Sequence, residues 1–185
     1  MKCNAITVAN ELIEAAREDG SHVTPLRLMK LTYISYGFGL ALLEDGVNMI
    51  DGRFDRVEAW RLGPVIPSVY HTFKHYGNTA IERLGEVAVD ANEDCETAVF
   101  ETPRLGDSDD DKNRRKIIRY VWRRYKRMSA RDLVDILHQD GTPWKLSYRP
   151  GMNCEIPEWV TKRYYDILVD NIYDGIKRRK AGGDN

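Results

Sequence analysis

The stretch LRLMKLTYISYGFGLALL, residues 26–43, predicts a long helix with one buried face. Thr24 is expected to cap this helix with its side chain, and Pro25 suits its first turn. The buried face carries Leu28, Leu31, Ser35, Phe38 and Leu42. Because glycine costs up to about 1 kcal/mol relative to alanine in a helix interior, Gly37 and Gly39 indicate that another element approaches closely there.

Helical signals also occur on both sides of this stretch. Asn4, a capping residue type, precedes apolar residues at spacings of three and four, and Gly20 ends the resulting helix. Farther along the chain, Pro67 is expected to open a helix over residues 68–77. Each of these helices has an apolar face that requires a packing partner.

The second half of the chain contains further helical segments. The acidic residues 107–111 precede a basic helix over 112–128, where they suit the positive end of the helix dipole. Ser129 and Asp132 then match a capping box for a short helix that Gly141 stops.

Three other segments are less regular. Residues 142–157 are predicted to form a proline-rich loop, and Pro157 opens the last helix. Residues 44–57 are predicted to be a turn-rich connection with room for a brief hairpin. Around 81–105, alternating apolar residues predict two short strands or an irregular flap; these residues are Val87, Val89, Ala98 and Phe100.

Together the segments predict a mainly α fold, namely a compact single-domain helical bundle of about six helices with a small irregular or β-hairpin element around 81–105. The domain is expected to span residues 1–180, followed by a disordered tail over 181–185. No apolar run approaches the ~18 residues that a membrane-spanning helix needs, and the N-terminal segment lacks a secretory signal. We therefore expect a cytoplasmic protein without a membrane partner.

The composition of the chain argues against several classes of protein. The chain has 185 residues, of which 42% are hydrophobic and 31% charged, as in ordinary globular proteins. Its formal net charge is −1, so overall charge does not predict binding to nucleic acid or a membrane surface. Cys3, Cys95 and Cys154 are far apart and show no CxxC spacing, which argues against a disulfide framework and a cysteine zinc site.

The histidines are the residues to test for catalysis or metal binding. His71 and His75 stand one helical turn apart, but the segment HTFKH lacks the glutamate of HExxH and a third ligand. His138 has no nucleophile in a local signature near it, so its ring is expected to hydrogen-bond backbone groups at the end of its helix. We therefore predict a protein that is not an enzyme, with no catalytic residue, metal site or cofactor.

The basic helix supplies the candidate partner-binding residues Arg115, Arg119, Arg123 and Arg124. Three interpretations remain open for this surface: a solvated face, a site for an acidic protein partner, and a site for nucleic acid. Any surface helix needs polar residues on its outer side, and arginine combines good helix propensity with a stem that covers apolar surface. Nucleic acid is the least favoured, because no recognition-helix arrangement is present.

The segment EAWRLGPVIPSVYHTF, residues 58–73, concentrates aromatic residues, prolines and a histidine. Gly63 permits unusual backbone angles and Pro64 restricts the next residue, so a sharp turn is expected before Pro67. Trp60 and Tyr70 flank that turn. Large aromatic residues are usually buried for packing, which favours a corner that shapes the core over direct contact with a partner.

Four segments in order carry a resemblance to a known family: LRLMKLTYISYGFGLAL, EAWRLGPVIPSVYHTF, LHQDGTPW and IPEWV. The chain resembles the Panacea domain, also called the SocA-like antitoxin or phage-associated GepA-like family, over roughly residues 4–165. The matching residues include Lys30, Tyr33, Trp60, Gly63, Pro64, Tyr70, His138, Pro143 and Trp144. Met29 stands where the family commonly has glutamine, and residues 81–111 match no part of the family pattern.

The resemblance implies a function and a partner. Family members with assigned roles neutralise a toxin by binding it, and the gene for that toxin lies beside their own. One variant instead delivers its toxin to an ATP-dependent protease. The resemblance thus implies a cognate toxin as partner, with a proteolytic adaptor or a nucleic-acid-binding regulator using residues 112–127 as alternatives. A homo-oligomer and a protease remain open as further partners, and the matching residues would be structural or partner-binding.

Overall fold

The computed structural model describes residues 3–52, 54–89 and 99–181 and shows a mainly α protein. The described residues form seven α-helices: α1 (Ala5–Glu18), α2 (Pro25–Leu42), α3 (Pro67–Phe73), α4 (Asp109–Tyr125), α5 (Ala130–Leu137), α6 (Pro143–Ser147) and α7 (Glu158–Ala181). Short strands form two small antiparallel sheets beside the helices. The predicted fold class is confirmed.

The N-terminal helices begin where the sequence predicts. The Asn4 side chain accepts a hydrogen bond from the backbone N–H of Thr7 at 2.9 Å, which caps α1. Gly20 follows α1 with a φ of 67°, a conformation that favours glycine. α2 begins at Pro25 as predicted, but the Thr24 side chain makes no capping hydrogen bond, and so that part of the prediction is wrong. Pro25 already presets the helical φ angle.

α2 lies at the centre of the fold. It contacts α1, α4, α5 and α7, and it is therefore buried on nearly all sides rather than along one stripe. This arrangement explains why apolar residues occur all round the helix. Leu42 was predicted on the buried face but is 40% exposed at the end of α2.

Two glycines of α2 allow other segments to approach its backbone. A Cβ atom on Gly37 would overlap the ring of Tyr165 in α7, and one on Gly39 would overlap the Met49 side chain. The interior is too densely packed to absorb such overlaps without a shift. The close approach predicted from these two glycines is confirmed.

Replacing Gly37 with alanine is expected to lower the free energy of unfolding by about 1–3 kcal/mol net, because overpacking outweighs the better helix propensity of alanine. Tyr165 is only 2% exposed, so its ring has no solvent-filled space to move into. Gly175→Ala in α7 is the matched control, since a Cβ there meets no atom within 4 Å.

The control should raise the free energy of unfolding by about 0.5–1 kcal/mol. Urea denaturation of both variants and the unchanged protein measures the two effects. A stabilising Gly37→Ala substitution would contradict the close packing of α2 against α7.

A three-stranded antiparallel sheet contains the corner predicted within residues 58–73. β1 (Glu58–Trp60) pairs with β2 (Gly63–Val65) on one side, and with Cys154–Glu155, the last of the described strands, on the other. Gly63 has a φ of 104°, so it forms the predicted turn. These strands are only two or three residues long and were not predicted from the sequence.

A second antiparallel pair consists of β3 (Val87–Val89) and β4 (Val99–Glu101). It confirms the small β element predicted around 81–105. Residues 90–98, including Ala98 with its predicted strand position, lie outside the described residues. The described part of 44–57 contains turns and bends and no strand before β1.

The C-terminal half confirms the predicted caps and corrects one loop. Ser129 and Asp132 form the predicted capping box of α5. The loop prediction over 142–157 is wrong in two places, because this segment contains α6 and the strand β5 (Cys154–Glu155). α6 has only five residues, too few to show helical periodicity in sequence, and it is the seventh helix where about six were expected.

The chain ends in the long helix α7. This helix includes Ala181, the first residue of the predicted tail, and residues 182–185 lie outside the described part. Among the described helices, none is both long enough and apolar enough to cross a membrane.

Candidate functional site

Motif residues that are far apart in sequence meet at one end of α2. Lys30 is fully buried in α2, and its Nζ donates a hydrogen bond to the backbone oxygen of Pro64 in β2 at 2.9 Å. A buried ammonium group is costly unless it is well paired, and Pro64 supplies one acceptor for three possible donors. This contact joins α2 to the corner.

Gly63 is the point at which three segments converge. A Cβ atom at this position would lie 3.1 Å from Nζ of Lys30 and 3.4 Å from Nε2 of His138. Both the positive φ and this narrow space therefore favour glycine. The turn between β1 and β2 is thereby held against α2 and the end of α5.

The pKa values of the two basic groups of the cluster are lowered. Burial lowers the pKa of Lys30 from 10.5 to about 7. Burial also lowers the pKa of His138, and the nearby charge of Lys30 lowers it further. Nε2 of His138 is buried and has no hydrogen-bond partner within the described residues. The cluster thus favours the uncharged form of both side chains.

An aromatic stack connects His138 to α6. The His138 ring lies parallel to Trp144 with a centroid distance of 3.6 Å, and Trp144 stacks in turn on Tyr148 at 4.6 Å. Nε1 of Trp144 donates to the backbone oxygen of Trp60 at 2.8 Å. Pro143 places Trp144 in the first turn of α6, beside the β1–β2 corner.

Trp60 extends this network to α3. Its ring meets Tyr70 edge to face at 4.8 Å, and its Nε1 donates to a carboxylate oxygen of Glu58. Trp60 and Tyr70 are both only partly buried. Tyr33 is fully buried and contacts Tyr165 of α7 instead, at a ring distance of 6.3 Å. Eight of the nine predicted motif residues thus form one connected cluster, and Tyr33 anchors α7.

The other two candidate histidines lie at the surface, where the His71 ring meets Tyr70 edge to face at 5.2 Å. His71 and His75 are both exposed. Across residues 3–52, 54–89 and 99–181, no three or more His, Cys, Asp or Glu side chains form a group that could hold a metal ion.

One flank of the basic helix α4 pairs with α1. Arg115 contacts Glu11 at 3.3 Å, and Arg119 contacts both carboxylate oxygens of Glu18. Asp19 accepts hydrogen bonds from Lys126 and from Nε1 of Trp122. Two of the four candidate arginines, Arg115 and Arg119, therefore hold α1 and α4 together.

The opposite flank of α4 has a different character. Lys116, Arg123, Arg124 and Arg127 form no ion pair with any carboxylate of the described residues. The guanidinium of Arg124 lies 5.7 Å from the centre of the Tyr125 ring. We call these four residues the outer cationic row of α4; Arg127 lies in the turn just after the helix. This row contains the other two candidate arginines, which keep their charge available to a partner.

The family comparison covers this entire cluster. The family model described as "Antitoxin SocA-like, Panacea domain" matches residues 28–145, which include every motif residue from Lys30 to Trp144. The chain belongs to this family. Antitoxin SocA of Caulobacter vibrioides (strain NA1000 / CB15N) is 32% identical over 158 residues, which cover 81% of this chain and 73% of that protein. No solved structure matches the chain.

Membership in the SocA-like Panacea family confirms the predicted resemblance and supports an antitoxin role. It also suggests a regulatory rather than a catalytic role. The pairing by which α1 neutralises one flank of α4 was not predicted from the sequence. A signal for this pairing was present, since Glu11, Glu18 and Asp19 lie along one helix at helical spacing.

Proposed function

We propose that this chain is a non-catalytic antitoxin that neutralises a cognate toxin by binding it directly. The observation that supports this proposal is the similarity to Antitoxin SocA over 81% of the chain. The proposed toxin is encoded beside the antitoxin, and the complex forms in the cytoplasm. Residues 1–180 act as one domain in this proposal.

The motif cluster would serve this function as a platform. Lys30, Gly63 and Trp144 are buried, so a partner cannot reach them without a rearrangement. Their contacts fix α2, α5, α6 and the β1–β2 corner relative to one another. A rigid platform lowers the entropy lost when the exposed residues bind a partner.

The surface of the chain is suitable for a stable complex. A specific interface buries about 1,200–2,000 Å² in total, and Trp, Tyr and Arg most often contribute its binding energy. Trp159, Tyr173 and Phe100 are all more than half exposed. The outer cationic row adds three exposed arginines that form no ion pair with a described carboxylate.

Co-expression with the adjacent reading frame tests the proposal. We expect the product of that frame to stop growth alone, and growth to resume when this chain is produced with it. The two proteins should co-purify at a fixed ratio, and the half-life of the toxin should not fall. A shortened half-life would indicate a proteolytic adaptor. Continued toxicity in the presence of this chain would reject the antitoxin function.

A further inference from the structure

An apolar groove crosses the end of α2. Phe38 and Leu42 of α2 form its floor, and Tyr120 of α4 forms one wall. The other wall is α7, which contributes Val169, Ile172, Tyr173 and Ile176. The groove encloses about 180 Å³ and is open to solvent. The groove is separate from the motif cluster, with which it shares no residue.

The C-terminal turns of α7 form an apolar face that the described residues do not cover. α7 has 24 residues and α2 has 18, which correspond to lengths of about 36 Å and 27 Å. Tyr173 is 54% exposed and Ile176 is 45% exposed, although both follow Val169 at helical spacing. These two side chains extend the apolar lining of the groove to the surface, where a partner can contact them.

The α4 wall makes one side of the groove positively charged. Lys116 and Arg124 lie one helical turn before and after Tyr120, so all three share the side of α4 that faces the groove. The α7 wall carries both signs of charge, with Asp170, Asp174 and Lys177 next to its apolar residues in sequence. Because the α4 wall is cationic, we expect the flank of a bound partner that faces α4 to be acidic.

We propose that this groove binds an amphipathic helix of the toxin, with its apolar face on the exposed side chains of Leu42, Tyr173 and Ile176 and its carboxylates beside the outer cationic row. This proposal rests on the proposed antitoxin function. A helix with apolar anchors three or four residues apart fits a groove between two helices. Tyrosine and arginine along the rim are residue types that dominate binding energy.

Substitutions in the groove test this assignment on the purified full-length chain. Ile176→Glu places a charge in the apolar groove and is expected to weaken binding of the adjacent reading frame's product at least about tenfold. Ile167→Glu is the matched control, because Ile167 is 53% exposed on the same helix but does not line the groove. We expect the control to change the dissociation constant less than about twofold.

Charge reversal tests the acidic flank of the bound helix. Arg124→Glu should weaken binding about tenfold at low salt and less at high salt, because screening reduces the interaction. Arg163→Glu, at an exposed position of α7 that does not line the groove, is the control for loss of one positive charge. Hydrogen exchange of the complex should show protection of the α7 turns around residues 172–179.

The outcomes separate this proposal from the proposed function. If the unchanged chain binds the toxin and Ile176→Glu binds equally well, the groove is not the site and the antitoxin function stands. If the unchanged chain does not bind, both proposals fail. Light scattering that shows a dimer converted to a monomer by Ile176→Glu would assign the groove to a second copy of the chain. Retention of nucleic acid that depends on Arg124 alone would also overturn the helix assignment.

Discussion

Replacing Trp144 with alanine is expected to lower the free energy of unfolding by about 3–5 kcal/mol. The Trp144 side chain is 5% exposed and lies between the rings of His138 and Tyr148. Alanine would leave a cavity at the junction of α5, α6 and the β1–β2 corner. It would also leave the backbone oxygen of Trp60 without its indole donor.

Trp159 offers a control for this substitution. It is 70% exposed, so Trp159→Ala should change the free energy of unfolding by no more than about 0.5 kcal/mol. Urea denaturation followed by circular dichroism measures both variants. Equal effects of the two substitutions would contradict the placement of Trp144 in the core.

Trp144→Phe separates structural from partner-binding roles. Phenylalanine keeps most of the apolar packing but cannot donate to Trp60, which should cost about 1–3 kcal/mol for the unpaired carbonyl. If Trp144 only supports the platform, the folded Trp144→Phe variant should bind toxin with nearly unchanged affinity. A variant that remains folded but no longer binds would show that Trp144 acts in recognition.

The helices could be predicted from local signals. Asn4, the capping box at Ser129 and the proline at the start of α2 each act within one helical turn, so sequence spacing records them directly. The sheet could not be predicted in this way. β1 pairs with β5, almost one hundred residues away, and neither strand is long enough to show alternation.

The residues of the candidate site could also be predicted from the sequence, but their contacts could not. The resemblance identified Lys30, Gly63 and His138, but their mutual contact depends on how α2, the β1–β2 corner and α5 pack. The sequence also showed a densely basic α4 without showing which flank would be neutralised. That distinction requires the position of α1, whose carboxylates contact Arg115 and Arg119.

Substituting Lys30 with methionine is expected to remove a specific pH dependence of stability. Burial lowers the pKa of Lys30 in the folded protein from 10.5 to about 7. Between these two values the unfolded chain binds a proton at this position and the folded chain does not. Stability therefore rises with pH in this window, by up to about 1.4 kcal/mol per pH unit.

Between pH 7 and pH 9, the free energy of unfolding of the wild-type chain should rise by about 2 kcal/mol relative to that of Lys30→Met. The cost of the buried charge disappears as Lys30 loses its proton. Below pH 7 Lys30 is protonated in both the folded and the unfolded wild-type chain. The difference in the free energy of unfolding between the wild-type chain and Lys30→Met should therefore level off. Comparing slopes avoids a second effect, since methionine also leaves the Pro64 oxygen without its donor at every pH. Urea denaturation of both proteins at several pH values provides the profiles. Parallel profiles would show that Lys30 remains charged in the fold, and the cluster would then need a further acceptor for its ammonium group.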